Sequence, residues 1–377
     1  MNPSHPTLRV FGNPYRYSGY GNATRNLAKA ISDSAVDAKF VFSGKDSGYS
    51  SSLAKTSRDP SVDLYIQTPP FNKHSSNNYK IGYFYWEADV LPKLWARDIC
   101  KSLDEVWVPC ELTKKSCLLA GFRGPIEILP TPAELPPEPS TIQIPSVYQD
   151  LALSESVFKF YSIFQWNERK GYNKLLRAYY EEFSSRDNVI LIMKVNPVIH
   201  SGHGMDKINR DILKIRSLVG RNRSDLPKIF VSTDFLEKDV IHSIHHSCDA
   251  FVLPHRGEGW GMPIHDAINH KNLIITTKYG GITEWLDETN SFPISHSIVP
   301  VSKMDWNPWY SPYQKWASPS LGSLKRLMRF CFENNNNNNN LSSRRENLDK
   351  IINLFTIEKC SKDIETILSK KRFKKHI

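Results

Sequence analysis

The chain has 377 residues, 40% of them hydrophobic and nine of them tryptophan, a composition that excludes global disorder and favours two domains over one. Its 49 basic and 39 acidic side chains give a net charge of +10, which favours acidic partners such as nucleotide phosphates, an anionic membrane or nucleic acid. General solubility explains the charge equally well, and part of the excess lies in a basic tail at 370–376.

Six scattered cysteines form no C-x-x-C pair and no zinc-like spacing with histidine. They indicate reduced, mostly buried thiols in a cytosolic protein. The polar start at 1–5 has no signal-peptide core, and no apolar run approaches the ~20 residues of a membrane span. We therefore expect a cytoplasmic protein, with peripheral membrane contact and the oligomeric state left open.

The first half of the chain alternates apolar runs with helical spacing, the pattern of a parallel α/β domain. The predicted strands lie at 8–12, 62–67, 80–85, 105–108 and 126–129. The predicted helices between them lie at 21–32, 91–102 and 111–120.

A proline-rich segment interrupts this pattern, with six prolines between residues 130 and 145. Because proline fixes φ and removes a donor, we expect a semi-rigid connector there. The alternation then restarts, with strands predicted at 158–164, 189–195, 228–232, 250–253 and 273–277, and helices at 172–184, 206–219 and 238–247. We therefore expect a first domain at 1–130, a linker at 131–156, a second domain at 157–355 and a closing segment at 356–377.

Two features lie near the end of the chain. The seven asparagines at 334–340 are polar and low in complexity, so we expect a surface loop insertion without a function. Apolar residues from Leu348 to Leu368 recur at helical spacing.

The most informative stretch lies at 254–267 and reads PHRGEGWGMPIHDA. It follows a predicted buried strand, has three glycines within five residues, and leads into a helix that Pro263 is suited to begin. Backbone amides and a helix start therefore meet at one point, where a phosphate binds well. Glu258 in the turn and Asp266 about one turn into the helix can both face a ligand there, and carboxylates suit the hydroxyls of a sugar or ribose.

This motif resembles the nucleotide-sugar site of retaining glycosyltransferases with the GT-B fold, family four or group one. Their pattern is Glu-Gly-Phe/Trp-Gly-x-Pro, with a second carboxylate eight positions after the first. The resemblance spans roughly residues 8–330. It implies two Rossmann-like doubly wound α/β domains that face each other across a cleft, with a last helix at 358–370 that crosses back to the first domain. Further matches in the family's order are SGYG at 18–21, YFYWE at 83–87, EVWVP at 105–109, NERKG at 167–171 and YGGITE at 279–284.

The resemblance gives the two carboxylates different tasks. It assigns the hydroxyls of the donor sugar to Glu258 and the ribose of the nucleotide to Asp266. The family most often has Glu at both positions, so the shorter Asp266 requires its helix to lie closer to the ribose. The alternatives are a plain loop acid at Glu258 and a first-turn carboxylate favoured by the helix dipole at Asp266.

Arg169 and Lys170 occupy positions at which the family neutralises the diphosphate leaving group. Charge on that group develops in the transition state, so fixed cations accelerate its departure. The Arg that family members commonly carry six residues before this Lys is Phe164 here. The task then falls on Arg169, Lys170 and Lys194, which ends the next predicted strand, and a solvated turn is the alternative for the first two.

The other donor-side candidates are six glycines and one tryptophan in turns. We expect them to let the backbone approach the phosphate or the sugar, with an ordinary turn as the alternative for the glycine pairs near the N-terminus and after the motif. These candidates are Gly19, Gly21, Gly259, Trp260, Gly261, Gly280 and Gly281.

Trp86 and Glu87 follow a predicted strand and are the acceptor-side candidates, since aromatic faces stack on sugar rings and carboxylates bind hydroxyls. A loop that packs its tryptophan is the alternative. No Asp-x-Asp motif is present, and the resemblance implies a reaction without a metal. His242, His245 and His246 share one predicted helix, and we expect them on its outer face rather than at a metal site.

The sequence thus predicts a retaining, metal-independent hexosyltransferase. It would move a sugar from a UDP- or GDP-sugar to a hydroxyl of a glycan, lipid or small molecule, with no other cofactor. Two alternatives stay open, a glycosyltransferase that acts on modified bases of DNA and a non-catalytic binding protein on the same fold. The basic surface favours DNA only weakly, and the intact Glu258, Arg169 and Lys170 argue against a loss of catalysis.

Overall fold

The structure is a computed structural model that describes residues 6–15, 18–44, 49, 53, 56, 58–71, 76–136, 156–197, 204–335, 339–371 and 373. The chain divides into two compact units. The first unit is Met1–Glu134 together with Asn353–Ile377, and the second is Leu135–Ile352. Most of the predicted linker, 137–155, lies outside the described residues, and the predicted domain boundaries stay predictions.

Among its described residues the first unit has a sheet of six parallel strands, with helices after the first, fourth and fifth of them. The strands are β1 (Leu8–Gly12), β2 (Ala38–Phe42), β3 (Val62–Ile66), β4 (Tyr79–Tyr83), β5 (Glu105–Val108) and β6 (Ile126–Ile128). The helices are α1 (Gly19–Ser32), α2 (Lys93–Ser102) and α3 (Glu111–Leu119). The spatial order of the strands is β2-β1-β3-β4-β5-β6, so the direction of strand addition reverses between β1 and β3.

The second unit repeats this architecture with a second six-stranded parallel sheet. Its strands are β7 (Phe158–Gln165), β8 (Val189–Asn196), β9 (Lys228–Ser232), β10 (Ala250–Leu253), β11 (Leu273–Thr277) and β12 (Phe292–Ile294). Its helices are α4 (Tyr172–Glu182), α5 (Gly204–Val219), α6 (Lys238–Ser247), α7 (Met262–Asn269), α8 (Leu321–Asn334) and α9 (Asn339–Ile352). The strand order β12-β11-β10-β7-β8-β9 reverses between β7 and β10, as in a Rossmann fold.

The last helix, α10 (Ile357–Ser369), belongs to the first unit and not to the second. Its apolar stripe, which includes Ile364 and Leu368, is part of the core beneath β1 and α1. The hydroxyl of Ser361 donates to the carbonyl of Ala30 in α1 over 2.7 Å. The return of this helix to the first domain, which the resemblance implied, is therefore confirmed.

Several elements were not predicted from the sequence. β2 lies at the edge of its sheet, where alternating exposure makes its apolar pattern weak. An antiparallel hairpin, β13 (His296–Pro300) and β14 (Lys315–Pro319), is joined by 14 residues that contain no tight-turn pair. α8 packs on α4, where the guanidinium of Arg329 donates to the carboxylates of Glu182 (3.0 Å) and Asp187 (2.7 Å).

Two expectations about the second unit are corrected. The asparagine run is not a simple loop, because it begins at the end of α8 and ends inside α9, while 336–338 lie outside the described residues. His242 and His245 of α6 are buried rather than on the outer face. His245 Nδ1 lies 2.6 Å from the hydroxyl of Tyr161, and His242 Nδ1 lies 3.0 Å from His270 Nε2, so this helix packs its histidines against β7 and α7.

Both units are thus α/β layers around a parallel sheet, which is the fold class predicted from the sequence. In the part of the chain that the structure describes, no helix combines the length and the apolar composition needed to cross a bilayer.

Candidate functional site

The candidate site of the second unit lies where its strand order reverses. Parallel β7 and β10 are neighbours, so the segments that follow their carboxyl ends lie side by side. The segment after β7 contains a short helical turn, Glu168–Lys170, and the segment after β10 leads through Gly257 and Glu258 to α7. Ligands of open α/β sheets bind at such reversal points.

Glu258 is the centre of an ion cluster that joins these two segments. Its Oε1 accepts hydrogen bonds from Lys170 Nζ and, at 3.1 Å, from Arg169 Nη1. The same Arg169 nitrogen donates to the carbonyl of Gly257 over 2.6 Å. Glu258 is 5% exposed, and Lys170 is also buried. The structure therefore brings the three residues predicted to be catalytic into direct contact.

The electrostatics of the cluster keep its carboxylate ionised. Burial alone raises the pKa of Glu258, but the adjacent Lys170 and Arg169 outweigh burial and lower that pKa to about 2. Burial lowers the pKa of His255 to about 3, so the imidazole beside the cluster is neutral at pH 7. The cluster therefore places two cations beside an ionised carboxylate and a neutral imidazole.

A second ion pair holds the two segments together behind the cluster. Arg256 Nη2 donates to Glu168 Oε1 over 2.8 Å, and the amide of Arg256 donates to the carbonyl of Arg169 over 2.7 Å. Sequence reasoning missed this pair. The sequence shows only that charged residues, Glu168 and Arg256, stand next to the two motifs. No local pattern indicates that these two residues contact each other.

Gly280 and Gly281 approach the Glu258 turn rather than open space. A Cβ at Gly280 would lie 2.3 Å from the carbonyl oxygen of Glu258, and Gly280 has a φ of +91°. A Cβ at Gly281 would lie 2.0 Å from the carbonyl oxygen of Gly259. The amide of Gly281 donates to the Glu258 carbonyl over 2.7 Å. These glycines therefore position the turn, and whether they also approach a sugar stays a prediction.

The turn ends at α7, with Gly261 as its N-cap and Pro263 in its first turn. Trp260 is buried between Trp285, whose ring centroid is 5.8 Å away, and His265 at 6.4 Å. The side chain of Trp260 therefore anchors the turn in the core, and any donor contact at Gly259–Gly261 must come from the backbone.

Asp266 lies in α7, eight residues after Glu258. Burial raises the pKa of Asp266 to about 7, although Lys238 at the start of α6 opposes the shift. The carboxyl therefore changes its charge near neutral pH. Within the described residues we find no hydrogen bond between Asp266 and Glu258, so the two carboxylates are separate features of the site.

Lys194 does not join the cluster either. Its ammonium donates to Asn196 Oδ1 at the end of β8. Burial lowers the pKa of Lys194, and Asp234 opposes that shift. The lysine is thus placed at the carboxyl end of the neighbouring strand, and its role toward a donor stays a prediction.

In the first unit, the glycine motif and the acceptor-side motif lie next to each other. α1 begins at Gly19, two residues earlier than predicted, because the Ser18 hydroxyl accepts from the amide of Gly21 over 3.3 Å. The hydroxyl of Tyr20 accepts a hydrogen bond from the amide of Tyr85 over 3.0 Å. The two motifs therefore meet at the carboxyl end of β4.

The ring of Trp86 does not face solvent in this structure. It is 1% exposed, packs 5.1 Å from the ring of Trp95 and donates its indole N–H to the carbonyl of Val90 over 2.8 Å. It therefore offers no face to a sugar ring, as the packed-loop alternative held. Glu87 is partly exposed, and its acceptor-side role stays a prediction.

Comparisons with known proteins define the fold of the chain. No protein-family model and no curated protein matches the sequence. Similar solved structures include Anabaena HepE in complex with UDP-glucose, which is 12% identical with a TM-score of 0.66 over 97% of this chain and 100% of that chain. A glycosyltransferase from Rickettsia africae is 11% identical with a TM-score of 0.67, over 98% and 99% of the two chains. Trehalose-6-phosphate synthase OtsA is 10% identical with a TM-score of 0.65, over 98% and 100%.

At these identities the likeness concerns the fold. Two Rossmann-like parallel sheets followed by a helix that returns to the first unit define the GT-B fold, which glycosyltransferases use. Among the described residues, no group of three or more His, Cys, Asp or Glu side chains is arranged to hold a metal ion. The absence of a metal requirement stays a prediction.

Proposed function

We propose that the protein transfers a sugar from a UDP- or GDP-sugar to a hydroxyl acceptor, with retention of the anomeric configuration and without a metal. The observation that carries this proposal is the buried Glu258–Arg169–Lys170 cluster at the reversal point of a GT-B fold. Solved structures with this fold include HepE bound to UDP-glucose, which supports a nucleotide sugar as the donor. The cytoplasmic location and the domain boundaries are part of the same proposal.

Arg169 and Lys170 bind the diphosphate of the donor. In the free protein both cations contact the carboxylate of Glu258, and a diphosphate offers them further charged oxygens. As the bond between the anomeric carbon and the phosphate oxygen breaks, its electron pair stays on the phosphate. Cations fixed in a water-poor site stabilise that developing charge without reorganising.

Glu258 binds the hydroxyls of the donor sugar. The two cations keep it ionised, and a carboxylate that accepts hydrogen bonds from hydroxyls forms strong contacts. Both cations contact Oε1 of Glu258 and lower the basicity of its carboxylate. The carboxylate is therefore a poor nucleophile toward the anomeric carbon. We therefore infer that the acceptor oxygen attacks from the face the phosphate leaves, and that the acceptor proton passes to the departing phosphate oxygen.

We propose the remaining donor contacts for the other candidate residues. Asp266 binds the ribose hydroxyls in its ionised form, the backbone of Gly259–Gly261 at the start of α7 approaches the phosphates, and Lys194 adds positive charge from the next strand. Gly19 and Gly21 at the start of α1 let the backbone approach the phosphate or the sugar, and Glu87 binds the acceptor.

Titration calorimetry with UDP- and GDP-sugars tests the proposal, followed by assay of the product configuration by NMR in the presence of EDTA. We expect one nucleotide sugar to bind, and Arg169→Ala to lower kcat by about 10²–10³ with a smaller change in KM, because leaving-group charge is greatest in the transition state. Arg177→Ala, which removes an exposed arginine paired with Glu181 on α4, is the matched control and should leave kcat unchanged.

Failure to bind any UDP- or GDP-sugar would overturn the proposed donor. Loss of turnover in EDTA that manganese restores would overturn the metal-independent reaction. An inverted product would overturn retention while leaving the transferase assignment in place.

A further inference from the structure

The hairpin that sequence reasoning missed carries an unusual concentration of exposed aromatic rings. We name residues 301–314, which join β13 to β14, the aromatic loop. Seven of the nine tryptophans of the chain are buried, and the two that are not, Trp306 and Trp309, both lie in this loop. Trp306 is 40% exposed and Tyr313 is 44% exposed. Burying the apolar surface of an aromatic ring is favourable in free energy, and a cluster of exposed rings therefore indicates a binding surface.

The aromatic loop is fixed by its own hydrogen bonds. Gln314 is wholly buried and acts as its hub. Its side chain accepts from the amide of Ser311 over 2.8 Å and donates to the carbonyl of Trp309 over 3.1 Å, while its carbonyl accepts from the amide of Val301 over 2.8 Å. The amide of Trp309 donates to Asn307 Oδ1 over 3.0 Å. Because the loop is ordered by internal contacts, a ligand can bind its rings at a small entropic cost.

The base of the aromatic loop is built into the support of the candidate donor site. The amide of Ala317 in β14 donates to the carbonyl of Arg256 over 2.8 Å, and the Arg256 guanidinium lies 5.5 Å from the ring centre of Trp316. The hydroxyl of Tyr279, directly before Gly280, donates to the carbonyl of Lys315 over 3.3 Å. The loop therefore ends at a strand that contacts the two turns next to Glu258.

The composition of the aromatic loop indicates which class of partner it can bind. It contains one lysine and one aspartate, so it lacks the cations that a nucleic acid or an anionic membrane requires. Its rings alternate with short polar side chains, namely Asp305, Asn307 and Ser311. A sugar ring presents an apolar C–H face and a rim of hydroxyls, which rings and short polar groups respectively can bind. A lipid tail offers no partner to those polar groups.

We propose that the aromatic loop is a binding site for a saccharide chain, and that the acceptor of the transfer is therefore a glycan. The second statement rests on the proposed function, whereas saccharide binding does not. Trp306 and Tyr313 supply the exposed faces, and β14, which follows the loop, contacts the donor turns.

The test measures saccharide binding without any donor present. The full chain is titrated with hexasaccharides of α-glucose, β-glucose, α-mannose and β-N-acetylglucosamine, and intrinsic tryptophan fluorescence is recorded. We expect at least one of these probes to bind, and Trp306→Ala and Tyr313→Ala each to weaken it about tenfold, with partial recovery in Trp306→Phe. Leu213→Ala on α5, an exposed apolar residue outside the loop, is the control and should bind the probe as the wild type does.

A second measurement separates this proposal from the donor assignment. In turnover with the best-bound saccharide, the loop variants should raise the acceptor KM about tenfold while the affinity for free UDP or GDP and the melting temperature stay unchanged. Saccharide binding without any nucleotide-sugar binding would contradict the proposed function but would still support the saccharide site on the loop. No binding of any probe, or equal binding by both loop variants, overturns the loop site. Binding to phosphatidylglycerol vesicles and to single-stranded DNA is measured in the same variants. The loop site is also overturned if the loop variants lose binding to either of these and bind the saccharide as the wild type does.

Discussion

Replacing Glu258 by glutamine removes the only negative charge from the ion cluster and leaves Arg169 and Lys170 facing an amide. Removing one partner of a buried ion pair typically costs about 3–5 kcal/mol. The pKa of Glu258 gives a second measure, because it falls from 4.5 to about 2 and each pKa unit corresponds to about 1.4 kcal/mol. Both estimates predict that Glu258→Gln lowers the free energy of unfolding of the second unit by about 3 kcal/mol, or its melting temperature by about 6–12 °C.

The pH dependence of this loss has a defined sign. The pKa of Glu258 is lower in the folded than in the unfolded protein, so the carboxylate stabilises the fold above about pH 4.5, and that contribution is lost as the pH falls toward 2. The difference between wild type and Glu258→Gln should be constant from about pH 8 to about pH 6 and shrink below about pH 4.5.

Urea unfolding followed by tryptophan fluorescence measures this difference. The double variant Lys170→Met/Glu258→Gln should lose less than the sum of the two single losses, because the residues contact each other. Asp349→Asn, which breaks an exposed pair with Lys271, is the control and should cost about 0.5 kcal/mol or less. A loss below about 1 kcal/mol for Glu258→Gln, or one that is undiminished at about pH 3, would refute the account of the cluster.

Three further predictions concern other parts of the structure. Because burial raises the pKa of Asp266 to about 7, the affinity for free UDP or GDP should increase between about pH 6 and pH 8, and calorimetry should show no such increase in Asp266→Asn; the same increase in the variant would contradict a ribose contact. Gly280→Ala would place a Cβ 2.3 Å from the Glu258 carbonyl oxygen, so its melting temperature should fall further than that of Gly220→Ala, where φ is also positive (+70°) but space is open; equal losses would show that only the φ angle matters. Leu368→Ala should cost the first unit about 2–5 kcal/mol in urea unfolding, since the side chain is buried in its core, and a loss below about 1 kcal/mol would mean that α10 does not complete that core.

The local sequence was sufficient to predict single strands and single turns. β10 and β11 lie where their apolar runs predict, because strands buried in a parallel sheet are continuously apolar. The order of strand, glycine-rich turn and helix at 254–267 was also predictable, since Gly261 and Pro263 mark the start of α7. The fold class followed from the alternation and from the motifs.

Contacts between distant residues were not predictable in this way. Lys170 and Glu258 lie 88 residues apart, and the sequence indicated only that each could face a ligand, not that they bind each other. The burial of Trp86 and Trp260 depends on neighbours, Trp95 and Trp285, that no local pattern connects to them. The hairpin before α8 was missed because its turn is long and held by the side chain of Gln314, a tertiary feature.

The position of α10 also bears on how the protein is made. Residues 357–369 emerge from the ribosome after the whole second unit, yet Cys360, Ile364 and Leu368 fill part of the core under the first sheet. Domains usually fold in the order of their synthesis. Here the second unit has all of its strands available first, while the first unit keeps an apolar surface uncovered until α10 has been synthesised. Truncated chains that stop before α10 should therefore engage chaperones or aggregate through the first unit rather than the second.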